Sequence, residues 1–488
     1  MVKEIYIAGE WRLGRGDTIQ SLFPADQSVN AEISTASLDD VNEAIEKADL
    51  AWRKAEWRNS MPHERARILY KVADIIEARV DELSKLQTRD NGKPLAETRA
   101  LTLSAAATAR YVAAACETLN DELTTQRAPD FMTMSVHEPV GVVAAITPWN
   151  SPIASEVQKL APALAGGNAV ILKPAEVTSL IALELAKIFE EAGLPKGLLS
   201  VLVGRGSVIG DAIVKHPLVR KISFTGGTST GRHLAHIAAE KLITTSLELG
   251  GKSPTIVMQD ADIELAAKGV AYGIFSSAGQ ACIAGSRLFV HRSIYDQFLT
   301  RLVEITKGLR VGHPETAGVH LGSLINPKHL ASVDAYVQLA KKEGGQVLVG
   351  GQALTDGELA KGSFYLPTII TGLDNSAQTC QEEIFGPVLV VMRYDDEADL
   401  IAQANDSCFG LAAGIWTENY RKAWQLARAL EVGTVWINTY KKFSISAPFG
   451  GFKESGIGRE KGRLGILAYM QQRSIYMGLS EQPNPWCD

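Results

Sequence analysis

From residue 141 onward, short apolar runs alternate with helical segments, and this alternation limits the possible folds more than any other feature. The runs are "GVVAAIT" (141–147), "NAVILK" (168–173), "LLSVLVG" (198–204), "VRKISFTG" (219–226) and "TTSLEL" (244–249). They recur roughly every 20–28 residues, which is the spacing of βαβ units and predicts a parallel sheet with helices on both faces. Between the second and third runs, "TSLIALELAKIFEEAGLP" reads as a helix, with Thr178 as its cap and Gly193 and Pro195 as stop signals. The region 254–440 repeats the style less regularly. "SPTIVM", "SRLFVH" and "GTVWIN" read as strands, and the segments after Asp262 and at "NYRKAWQLARAL" as helices.

The first 120 residues are mainly helical. Ser37 caps "LDDVNEAIEKADLAWRKAE", where Val41, Ala44, Ile45, Ala48 and Trp52 recur at helical spacing. A second long helix is expected from about Met61 to Thr88. At the other end, "LAYMQQRSIYMG" (467–478) finishes as an exposed strand, whose free edge invites pairing with another chain.

A chain of 488 residues is too long for one hydrophobic core, so two or three domains are expected. The 55 acidic and 49 basic residues give a net charge of −6, without a basic block, which argues against a nucleic-acid partner. There is no apolar run of about 18 residues and no secretory h-region at the start, so neither a membrane span nor export is expected. Cys116, Cys282, Cys380, Cys408 and Cys487 are odd in number, widely spaced and without a CxxC pair. That pattern fits reduced thiols in a cytoplasmic protein, with no metal site.

Ligands of open parallel sheets bind beyond the carboxyl ends of the strands. Two such ends suit a dinucleotide. In "ILKPAE", Lys173 can reach ribose or phosphate oxygens, and Glu176 can accept from the adenosine ribose hydroxyls while repelling a 2′-phosphate. A surface salt bridge explains these two residues as well. In "SFTGGTSTG", Gly226 and Gly227 lead into a helix start whose free N–H groups suit a pyrophosphate. "GRGSVIG" (204–210) is a further glycine loop. In "LELGGKSP", Glu248 ends an apolar strand, where desolvation raises a carboxyl pKa toward that of a general base; a buried acid paired with a base is the structural alternative. Cys282 sits in "SSAGQACIAGSR" among Gly279, Ala281 and Gly285, which leave room for a substrate and a nicotinamide ribose, with Gln280 lining the approach. A free cysteine is more often an inert core residue. Asn150 of "TPWN" can offer its amide to a developing oxyanion.

These residues belong to a larger pattern. "PWN", "KPAE", "FTGG", "LELGGKSP", "GQACIAGSR", "EEIFGPV", "VWINTY" and "PFGGFKESGIGRE" occur in the order and at the spacing of the NAD(P)-dependent aldehyde dehydrogenase superfamily, which the chain resembles nearly end to end. The resemblance implies an α/β fold with a Rossmann-type cofactor domain (1–120 and 140–250), an α/β catalytic domain (251–450) and an oligomerisation segment (121–139 and 466–488). It implies Cys282 as nucleophile, forming a thiohemiacetal and, after hydride transfer to the nicotinamide, a thioester. Asn150 and the Cys282 N–H would hold the oxyanion, and Glu248 would activate the hydrolytic water. The cofactor contacts it implies are Thr147, Pro148, Trp149, Lys173, Glu176, Gly206, Phe224, Thr225, Gly226, Gly227, Leu249, Glu383 and Phe385. NAD is favoured over NADP, the substrate is a small-molecule aldehyde, and a homodimer or homotetramer is expected.

The substrate positions depart from common family residues. Ser151, Gln158 and Ser276 stand where bulky aromatics are frequent, whereas Phe443 and Phe449 remain in a late loop next to Lys441 and Lys442. An Arg that family members acting on succinate semialdehyde carry at position 158 is absent. A wider, more polar pocket is expected. Two other functions compete: a CoA-acylating dehydrogenase, which the presence of Glu248 disfavours, and a non-catalytic protein on the same fold, which Cys282, Glu248 and Asn150 together disfavour.

Overall fold

The computed structural model describes residues 1–481 and Trp486. Its first sheet has eight strands in the spatial order Glu10–Arg12, Ile5–Ile7, Leu199–Val201, Ala169–Lys173, Val142–Ile146, Val219–Thr225, Thr244–Glu248 and Gly456–Ile457. The five central strands are parallel, and the two ends are closed by antiparallel neighbours. Four of the central strands consist wholly or mostly of buried residues, as expected for a sheet covered on both faces. Chain order reverses between Val142–Ile146 and Val219–Thr225, which makes this the switch point at which a doubly wound sheet opens a crevice.

A second sheet of seven strands runs Gln346–Val349, Thr368–Thr371, Val388–Tyr394, Arg287–His291, Pro254–Val257, Ala412–Trp416, Thr434–Ile437. It is parallel apart from its first strand and has its own apolar core. A third sheet of three antiparallel strands joins Met470–Gly478, Phe131–Pro139 and Glu122–Leu123. Met470–Gly478 pairs along its whole length with Phe131–Pro139; among the described residues its other edge is open, and the strand is largely exposed. Residues 482–485 and 487–488, which include Cys487 and the end of the expected oligomerisation segment, lie outside the described residues.

The expected N-terminal helix is Leu38–Arg53. Ser37 Oγ accepts from Asp40 N at 3.1 Å, and Asp40 Oδ2 accepts from Ser37 N at 2.9 Å, a reciprocal cap that starts the helix. Two local expectations need correction. The helix expected over 61–88 is two helices, Pro62–Ala78 and Val80–Asn91, broken where Arg79 leaves helical geometry and its guanidinium joins Glu82 and Glu184. Thr178 does not cap the next helix, Leu180–Glu191; the Leu180 N–H donates instead to Asp90 Oδ2 at 3.0 Å, a carboxylate 90 residues away in sequence.

Strands 142–146, 219–225 and 244–248 end together, so "TPWN", "TGG" and "ELGG" emerge at one rim. Among the described residues no helix is long and apolar enough to cross a membrane, and no cluster of three or more metal-ligand side chains forms.

Candidate active site

The rim opens into a cavity of about 770 Å³. Asn150, Glu248 and Cys282 line it, together with every expected cofactor position except Glu176: Thr147, Pro148, Trp149, Lys173, Gly206, Phe224, Thr225, Gly226, Gly227, Leu249, Glu383 and Phe385. Glu176 is half-buried in a short turn, Glu176–Thr178, outside the lining, and its charge acts on Lys173.

Gly227 caps the helix Thr228–Lys241 from an extended conformation, so the free N–H groups of that helix face the cavity. Open space surrounds the position of a Gly227 Cβ, so the missing side chain is not a packing requirement. Gly226 differs: a Cβ there would stand 2.5 Å from the Phe224 ring. Burial pushes the Lys173 ammonium down to about 8, and Glu176 acts against that fall. Thr147 Oγ1 lines the cavity buried and without a hydrogen-bond partner. A buried cation, an orphaned hydroxyl and an open helix N-terminus fit the ribose and pyrophosphate of a dinucleotide.

At the inner end, the Gly251 N–H donates to Glu383 Oε1 at 3.0 Å. Burial pushes the Glu383 carboxyl up to about 7. Phe385 adopts φ 56° and stacks edge-on with Trp149 at 5.2 Å, while its carbonyl contacts His329 Nε2 at 2.8 Å. His329 had no signal in the sequence.

Cys282 is half-buried, and its thiol pKa is pushed up to about 12, by burial first and then by Glu383 and Glu248. Asn150 Nδ2 donates to the carbonyl oxygen of Gln280 at 2.9 Å, which fixes the amide beside the cysteine loop and leaves it a second N–H. Glu248 is 4% exposed, and neither carboxylate oxygen has a hydrogen-bond partner among the described residues. Its pKa stands well above the ordinary value, through burial first and then Glu460, with Lys159 acting in the opposite direction.

Lys159 and Glu460 form a buried ion pair 301 residues apart in sequence, and Gln158 donates to the same carboxylate. Gln158 was expected to line the substrate side, but this bond turns its amide to Glu460. Neither member of the ion pair was singled out from sequence, because no local pattern links them.

The glycines around Cys282 also need a corrected reading. A Cβ on Gly279 would meet Gly386 O at 2.0 Å, and one on Gly285 would meet Thr255 Oγ1 at 2.4 Å. Their small size lets neighbouring chain pack tightly and does not hold space open for a ligand. Gln280 does not line the approach either: it is 1% exposed, and its Oε1 accepts from Ile325 N at 2.9 Å. Away from the cofactor cavity, Phe449 packs with Cys282 against Trp436 and Tyr440, and Phe443 stacks edge-on with Phe449 at 5.6 Å. Ser276 Oγ accepts from Lys441 Nζ at 2.7 Å. Ser151 stands at the start of helix Pro152–Ala165 without capping it through its side chain.

The aldehyde dehydrogenase family profile matches residues 11–475. The chain belongs to the aldehyde dehydrogenase family. It is 38% identical over 487 residues to a betaine aldehyde dehydrogenase of Bacillus subtilis (strain 168), covering 100% of this chain and 99% of that protein. It is 41% identical over 480 residues to a phenylacetaldehyde dehydrogenase of Pseudomonas fluorescens, covering 97% and 95%. Among solved structures, betaine aldehyde dehydrogenase of Staphylococcus aureus in complex with NAD+ superposes with a TM-score of 0.97 at 37% identity, covering 100% of this chain and 96% of that one. The NAD+ complex of aldehyde dehydrogenase from Bacillus cereus superposes at 0.96 and 38% identity, covering 98% and 97%. The two long sheets are therefore those of the aldehyde dehydrogenase fold, and the chain is an oxidoreductase of that family.

Proposed function

We propose that this enzyme oxidises an aldehyde to a carboxylic acid with NAD, through a covalent intermediate on Cys282 that water hydrolyses. The convergence of Cys282, Asn150 and Glu248 on one cavity with a dinucleotide-shaped rim carries this reading.

Cys282 attacks the carbonyl carbon, and its thiol proton must leave as the C–S bond forms. A thiol held at about 12 is protonated at neutral pH, so the nucleophile forms only with a base at hand or a change in its surroundings. The free N–H of Asn150 and the backbone N–H of Cys282 hold the resulting oxyanion. The chemistry that a bound dinucleotide supplies is acceptance of a hydride at its nicotinamide ring. The thioester left on Cys282 is then open to water. Glu248, desolvated and free of hydrogen-bond partners, has the proton affinity to take a proton from that water. Its presence favours hydrolysis over acyl transfer to CoA.

Lys173 and the N-terminus of helix Thr228–Lys241 would hold the ribose and pyrophosphate, and Glu383 and Phe385 would hold the nicotinamide ribose. NAD is preferred over NADP, because the charge of Glu176 near Lys173 opposes a 2′-phosphate. The reduced cysteines fit the cytoplasm. The open edge of Met470–Gly478 fits assembly into a homodimer or homotetramer.

The test is NADH formation, followed by its near-ultraviolet absorbance, over a panel of aldehydes with the wild type and Cys282→Ala. Turnover by the wild type and none by the variant is expected. Equal turnover by both contradicts the nucleophile, and turnover by neither contradicts the activity.

A further inference from the structure

Outside the cofactor cavity, on the Phe449 side of Cys282, two lysines lack an ion-pair partner among the described residues. Among the described residues, the hydrogen-bond partners of Lys441 Nζ are the Ser276 hydroxyl at 2.7 Å and the Ser276 carbonyl at 3.5 Å. The nearby carboxylate of Glu97 is already engaged: it accepts from Ser277 N and Ser277 Oγ, both at 2.8 Å, and pairs with buried Lys93 at 3.7 Å. Lys461 forms no ion pair among the described residues. Its ammonium lies 4.1 Å from the Phe443 ring centroid and 5.6 Å from that of Phe449. The two rings contribute cation–π attraction but satisfy no N–H.

Charge does not balance around either lysine. Lys93 and Lys441 share the one carboxylate of Glu97. Lys461, Lys159 and Arg459 face Glu460 and Glu248, and Glu460 is paired with Lys159. Lys441 bonds Ser276, six residues before Cys282, and Phe449 beneath Lys461 packs on the same Trp436 and Tyr440 cluster as Cys282. Burial pushes Lys441 down to about 8, the mark of a cation short of counter-charge.

The backbone gives an independent observation. Lys441 has φ 55°, and Lys461 has φ 60° with ψ 170°, a region that glycine occupies freely and other residues at a cost. Both lysines are thus held in strained conformations that glycine would relieve.

We propose that the aldehyde substrate carries an anionic group, a carboxylate or a phosphate, which Lys441 and Lys461 bind while its carbonyl meets Cys282. This rests on the aldehyde-oxidising reading above and gives it a substrate class. Phe443 and Phe449 form the apolar wall along the carbon chain between the two ends. A quaternary ammonium aldehyde would be repelled at the same place.

The experiment compares kcat/KM, with NAD, for succinate semialdehyde, its methyl ester, glyceraldehyde 3-phosphate and betaine aldehyde. At least one anionic aldehyde is expected to exceed the neutral ester by about tenfold or more, with betaine aldehyde below the ester. Which anion leads identifies the head group. Added salt should shrink the preference, and that reading needs no variant. In Lys441→Met and Lys461→Met the ratio of anion to ester should fall by about tenfold. Equal use of ester and anions, preference for betaine aldehyde, or an unchanged ratio in both variants would overturn the inference while leaving aldehyde oxidation intact. Absence of NADH from every aldehyde would overturn both.

Discussion

Asn150 Nδ2 donates to the carbonyl oxygen of Gln280 at 2.9 Å, two residues before Cys282. This bond ties the end of strand Val142–Ile146 in the first sheet to the cysteine loop beside the second. It turns the amide so that one N–H is spent on the loop and the other is left for an oxyanion. Asn150→Ala should lower kcat by about 10²–10³ with a much smaller change in KM, because the lost bond forms only as charge develops. Steady-state NADH formation measures this. A fall confined to KM would remove Asn150 from the oxyanion site.

Cys282 should alkylate slowly in the cofactor-free enzyme. Burial, Glu383 and Glu248 push its thiol up to about 12, so the thiolate fraction is small at neutral pH and rises through the alkaline range. The rate of iodoacetamide labelling at Cys282 should keep climbing beyond the ordinary thiol pKa of about 8.5 without levelling off. Glu383→Gln removes one negative neighbour and should move the curve to lower pH. A plateau near the ordinary value in the wild type would contradict this electrostatic picture.

Glu460 raises the proton affinity of Glu248, and Lys159 lowers it. Glu460→Gln leaves the Lys159 charge uncompensated beside Glu248, so both changes act in one direction and the Glu248 pKa falls. The acidic limb of the pH profile for thioester hydrolysis should then shift to lower pH. Breaking a buried pair of this kind also costs about 3–5 kcal/mol, so the melting temperature should drop. A limb that moves to higher pH would refute the assignment of that limb to Glu248.

Gly251 has no room for a side chain: a Cβ would stand 2.4 Å from the carbonyl oxygen of Cys282. Gly251→Ala should lower stability by about 1–3 kcal/mol and displace the loop that holds the thiol. Thermal unfolding and turnover should fall together. Unchanged values of both would show that the loop yields without cost.

Asn150 and Glu248 stood out in the sequence because they follow or end parallel strands, whereas Cys282 lies in the loop ahead of strand Arg287–His291 and stood out only in their company and with the ordered motifs. Lys173, Gly226 and Gly227 stand at strand ends in the same way and line the cavity, whereas Glu383 and Phe385 came from the family resemblance alone, and Glu176 lies in a turn beside the lining. Lys159 and Glu460 were not readable, because their pairing joins segments 301 residues apart. The Asp90 cap on Leu180 was hidden in the same way, which is why Thr178 looked like the cap. Gly279 and Gly285 were misread because small residues look the same in sequence whether they face a ligand or a tightly packed neighbour.

If the acyl group passes through Cys282, blocking its hydrolysis should trap it there. Glu248→Gln should slow hydrolysis and let the thioester accumulate, with a burst of NADH matching the enzyme present. Acid quenching during that burst, followed by peptide mass spectrometry, should find the acyl mass on Cys282. An unmodified Cys282 at full burst, or the acyl group on another residue, would contradict the account.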